Sequence, residues 1–135
     1  MSRKKARIGQ MQLLYQMDLN KDYDINMVEQ FLDNNVFAGD EIDYINRASQ
    51  EILIHMDQID ALIESNLEGW GFHRLAKVDR SILRIAVYEF LYRDDIPEEV
   101  SINEAVDIAK AYSSEEAPKF INGILGSIYR NLDKQ

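Results

Sequence analysis

The sequence predicts an all-α protein of about seven helices in two small packed helical bundles. Three observations carry that expectation. The 135 residues include only 2 prolines and 6 glycines, too few breakers for the many turns of an all-β sandwich. Apolar residues recur at helical rather than alternating spacing along most of the chain. The segment 79–93 is apolar almost all round, as a helix enclosed by others has to be. Hydrophobic residues make up 46% and charged residues 29%, the composition of a folded domain rather than a disordered chain. This length supports one functional unit, not two independently cored domains.

In the N-terminal half, 1–70, the periodicity predicts helices at about 4–20, 24–35, 40–55 and 57–68, with Asp40 a candidate N-cap. The first has a second apolar side, Ala6, Leu13 and Met17, and is expected to pack against more than one neighbour. Gly69-Trp70-Gly71 breaks the pattern, and 72–78 is a linker or short turn that joins the halves through Trp70. The C-terminal half, 71–135, is built around 79–93, where Ile82, Leu83, Ile85, Ala86, Val87, Tyr88, Phe90 and Leu91 are relieved chiefly by Arg84 and Glu89. Asp94-Asp95-Ile96-Pro97 ends it. Ser101-Ile102-Asn103-Glu104 has capping-box spacing and precedes a face of Ile102, Ala105, Val106, Ala109 and Tyr112. A second box, Ser113-Ser114-Glu115-Glu116, opens the last helix, whose first turn tolerates Pro118. Its stripe is Ile121, Ile124, Leu125, Ile128 and Leu132.

Charge is polarised. The net value is -9, yet residues 1–17 carry +4, 18–69 carry -11, 70–93 carry +3 and 94–135 carry -5. The absence of cysteine excludes disulfides, thiolate zinc sites, iron–sulfur clusters and cysteine nucleophiles. His55 and His73 have no companions at metal-ligand spacing, and there is no phosphate loop, dinucleotide fingerprint or nucleophile elbow. No catalytic residue, metal or cofactor is therefore expected. No run approaches a membrane span and the basic start lacks a signal-peptide cleavage pattern, so a soluble, cytoplasmic protein is the expectation.

Two features bear on binding. In the first helix Lys4, Ile8, Met11 and Tyr15 lie on one line, while Arg3 and Arg7 are neighbours at i, i+4. Cations beside an aromatic ring suit single-stranded RNA, which offers phosphates to neutralise and unstacked bases to stack. From pattern alone, a core Tyr15 and a solvated basic helix start account for the residues better. The cluster nevertheless opposes the helix dipole. In the last helix Phe120 sits at the edge of the apolar stripe between Lys119 and Asn122, a second stacking platform or a partly buried rim aromatic. The acids between Asp18 and Glu68 form a solvated face or receive a basic partner. Asp79 and Glu89 are expected in structural ion pairs with Arg80 or Arg84.

Several ordered blocks resemble the NusB family of transcription antitermination factors over essentially the whole chain. They are Arg3-Lys4-Lys5-Ala6-Arg7 with Gln12-Leu13-Leu14-Tyr15; Val78-Asp79-Arg80-Ser81-Ile82-Leu83-Arg84-Ile85-Ala86-Val87-Tyr88-Glu89; Ile96-Pro97 with Val100-Ser101-Ile102-Asn103-Glu104-Ala105-Val106 and Ala109-Lys110; and Lys119-Phe120-Ile121-Asn122-Gly123-Ile124-Leu125. The resemblance implies a single NusB-like RNA-binding domain that pairs with NusE, a protein of the small ribosomal subunit. The pair would bind the boxA element of ribosomal RNA leader transcripts and, with RNA polymerase and other Nus factors, suppress Rho-dependent termination. By the same resemblance Arg3, Lys4, Lys5, Arg7, Tyr15, Lys119, Phe120 and Asn122 face RNA. Glu116 weakens phosphate binding, and Asp79 and Glu89 are candidates for the NusE-facing surface. Lysine at positions 4 and 5 gives up the planar fork of arginine. The competing expectation is a protein-interaction module or homodimer whose basic arm is not used for RNA.

Overall fold

The computed structural model describes residues 3–69 and 71–132, so the junction expected at Trp70 lies outside the described residues. Seven α-helices and one short 3-10 turn account for the regular structure among them: α1 Arg3–Asn20, α2 Asn26–Asp33, α3 Gly39–Ile54, α4 Met56–Ser65, the 3-10 turn Phe72–Arg74, α5 Lys77–Tyr92, α6 Glu98–Tyr112 and α7 Ala117–Leu132.

The apolar segment becomes the axis of the molecule. α5 packs against α1, α3, α4, α6 and α7, and every residue from Ser81 to Glu89 is buried. One apolar core runs without a break from Ala6 to Ile128. The two apolar sides of α1 are explained by its place between α3 and α5. Where α1 meets the 34–38 loop, Gly9 allows the close approach, because a Cβ there would lie 2.6 Å from Phe37 Cζ.

Three caps differ from the sequence expectation. α3 starts at Gly39, and Glu41 rather than Asp40 reaches back to the Ala38 N–H, at 2.7 Å. α6 starts a turn before the expected box, at Glu98, because Pro97 already supplies a fixed φ of -61° and has no N–H to satisfy. Ser101 is thus inside the helix and donates to Glu89 at 2.7 Å instead of capping. Ser113 terminates α6 and donates to Asp79, and α7 starts only at Ala117, with Pro118 in its first turn as expected.

The cations of α5 tie it to the N-terminal helices. Arg84, only 3% exposed, makes two 2.8 Å hydrogen bonds to Asp60 of α4. Arg80 donates to Asp18 of α1 at 3.2 Å, and Asp18 also accepts from Tyr23. Both guanidiniums lie over the Phe72 ring, at 5.0 and 5.4 Å. Contrary to expectation, then, Arg80 and Arg84 pair with Asp18 and Asp60, and not with Asp79 or Glu89. Removing one member of a buried ion pair leaves the other uncompensated in a poor dielectric. Arg84→Ala is expected to cost about 3–5 kcal/mol in urea denaturation.

Candidate nucleic-acid interface

The basic start of α1 is folded onto the protein's own acids. Arg3 lies 3.7 Å from Asp95 and 5.8 Å above the Tyr44 ring. Lys4 is 3.3 Å from both Glu104 and Asp107 of α6. Desolvation opposes its charge, but hydrogen bonds to those two carboxylates hold the Lys4 ammonium above its ordinary value. Lys5 is exposed, with its Nζ 5.5 Å from the Phe37 ring centre.

Arg7 departs from the expectation of a phosphate contact. It is 4% exposed, and its Nε and Nη2 reach Glu89 at 2.7 and 3.1 Å while Nη1 reaches Glu104 at 3.4 Å. Arg7 shares a helix face with Arg3 but lies one turn further into α1, where that face is covered by α5 and α6. Glu89 departs from expectation in the same way. At 1% exposure it cannot meet a partner, and it accepts from Arg7 of α1, Tyr44 of α3 and Ser101 of α6. Nothing in the local sequence distinguishes Arg7 from its basic neighbours. The signal was Glu89 itself, an acid inside an otherwise apolar helix, which requires a buried cation somewhere.

The aromatic positions are partly buried and lie at the rims of cavities. Tyr15 lines one of about 390 Å³ with Met11, Gln12, Phe31, Val78 and Tyr112. Phe120 lines a second of about 220 Å³ with Arg74, Leu75, Ala76, Asp79 and Glu116. It also borders a groove containing Asn66, Gly123 and Arg130. Lys119 and Asn122 are exposed beside it. Asp79 is 8% exposed, occupied by the Ser113 hydroxyl, and presents only an edge to its cavity. Among the described residues no group of three or more His, Asp or Glu could hold a metal, and no helix is long and apolar enough to cross a membrane.

The chain and its architecture match known proteins over nearly their full length. The NusB family model matches residues 4–130. The chain belongs to the NusB family. Among sequence relatives, the transcription antitermination protein NusB of Alkaliphilus oremlandii is 43% identical over 126 residues, covering 93% of this chain and 91% of its own. That of Finegoldia magna is 41% identical and covers 98% and 97%. Among solved structures, NusB of T. maritima superposes with a TM-score of 0.89 at 37% identity, covering 96% of this chain and 92% of its own. A structure of the antitermination factors NusB and NusE in complex with double-stranded RNA aligns at 0.84 with 29% identity, covering 96% of both chains.

The buried network fixes how such a family member responds to alkali. Burial first, and then the neighbouring Glu89 carboxylate, push the Tyr44 hydroxyl well above its ordinary value of 10.0. The folded state therefore keeps a proton that the unfolded chain releases, so stability is intact below pH about 10 and falls as pH rises beyond it. In an alkaline titration the tyrosinate absorbance of Tyr44 should appear together with unfolding, and Tyr44→Phe should remove that component. Arg7→Ala is expected to destabilise the fold by about 3–5 kcal/mol, measured by urea denaturation, because Glu89 is left buried and unpaired by its cation.

Proposed function

We propose that this chain is an RNA-binding transcription antitermination factor of the bacterial cytoplasm, acting without catalysis. It pairs with the ribosomal protein NusE, binds boxA-type RNA of ribosomal RNA leaders, and joins RNA polymerase and other Nus factors to suppress Rho-dependent termination. The observation that carries this reading is the full-length correspondence to NusB proteins, one of them solved with NusE and RNA. The RNA face comprises Arg3, Lys4 and Lys5 on α1, with Tyr15, Lys119, Phe120 and Asn122; Arg7 holds α1 in place beneath it. In the free protein Arg3 and Lys4 rest on Asp95, Glu104 and Asp107. RNA must exchange its phosphates for those carboxylates, which favours weak binding by the chain alone and a contribution of further surface from NusE.

The test is fluorescence anisotropy of labelled boxA-type RNA and a scrambled control, with and without NusE, at two salt concentrations. Selective, salt-dependent binding that NusE strengthens is expected. Replacing Arg3, Lys4 and Lys5 by alanine, with Arg7 retained, should weaken RNA binding by about tenfold or more and leave NusE binding unchanged. Loss of both interactions together would show the arm to be part of the scaffold, and light scattering would reveal any homodimer that covers it.

A further inference from the structure

Two cations, Arg74 at the end of the 3-10 turn and Lys77 at the head of α5, stand beside the two aromatic sites. The cavity at Tyr15 has Val78 in its wall, and the cavity at Phe120 has Arg74, Leu75 and Ala76. Lys77, the first residue of α5, lies in sequence between those two walls. The segment 74–79 therefore lends residues to both aromatic sites.

Its cations differ from those of α1 in one respect. Each of Arg3, Lys4 and Arg7 has a carboxylate within 3.7 Å. Arg74 is exposed, Lys77 is half-buried, and neither makes an ion pair among the described residues. Arg80, three residues past Lys77, is by contrast engaged with Asp18. A cation without an internal partner can neutralise a phosphate with no carboxylate to displace. Two acids share the Phe120 cavity with Arg74: Asp79 is buried and occupied by Ser113, and Glu116, just before α7, makes no ion pair with Arg74.

We propose that Arg74 and Lys77 form a phosphate-anchoring strip that carries single-stranded RNA from the Tyr15 cavity to the Phe120 cavity. This deepens the RNA-binding reading above and rests on it. Bases occupy the two aromatic-walled hollows while the intervening backbone lies over the head of α5. Arg74, with its planar fork, grips a phosphate oxygen pair, and Lys77 acts as a point charge.

The test uses the full chain and the labelled single-stranded RNA that the wild type binds most tightly, with NusE present if binding requires it. Arg74→Ala and Lys77→Ala are compared with Lys21→Ala, which removes an equal charge just past the C-terminal end of α1. Each strip variant should weaken binding by about threefold or more and the double variant by about tenfold, with a shallower salt dependence of about 0.7 per lost phosphate contact. Lys21→Ala should match the wild type. Unchanged melting temperatures would be expected for these surface substitutions. If both strip variants behave like Lys21→Ala while the wild type still binds RNA, the strip is wrong and the RNA reading survives. If NusE capture falls and RNA binding by the chain alone does not, the strip faces protein, which also overturns the proposal. A wild type that binds no RNA with or without NusE removes the underlying reading and the strip with it.

Discussion

One buried carboxylate organises the fold. Glu89 sits on the central helix and accepts from Arg7, Tyr44 and Ser101, which belong to three other helices. A charge at 1% exposure is tolerable only when its lone pairs are filled. That requirement fixes the rotation of α1, α3 and α6 about α5 far more narrowly than apolar packing, which is non-directional. The guanidiniums of Arg3 and Arg93 flank the Tyr44 ring, at 5.8 and 5.7 Å, so the arm at the start of α1 is referenced to the same point. The surface proposed to meet RNA is thus a direct outgrowth of the core's polar centre.

The fold was written plainly in the sequence because helical periodicity is local. The stripe on α7 and the all-round apolarity of α5 each lie within a few turns of chain, and both elements form where the spacing puts them. Caps were harder. A serine three residues before a glutamate is a cap signal only if the serine stays at the surface, and Ser101 is drawn inward by an acid 12 residues upstream. The same long-range pairing hid the role of Arg7. Four cations in a row look alike until the partner 82 residues away is known.

The proposed RNA face is a mixture of the two cases. Tyr15 is recognisable as the aromatic end of a line that begins with Lys4, and Phe120 as an aromatic at the edge of its apolar stripe, and both come to rest at cavity rims. Their relation to each other is a tertiary fact, since the segment 74–79 lends residues to both cavities. The self-pairing of the arm is tertiary as well. Asp95, Glu104 and Asp107 lie about a hundred residues from the cations they hold, and no periodicity connects them.

The dependence of the early helices on Glu89 also dictates an order of events during synthesis. A ribosome releases α1, α2, α3 and α4 well before it releases Glu89, so Arg7 and Tyr44 emerge with their destined partner still 82 and 45 residues short of completion. Until α5 arrives, the apolar sides of α1 and α3 that it covers have nothing to bury against, and local helix formation brings little stability. Completion of this fold is therefore a late event in translation that waits on its fifth helix.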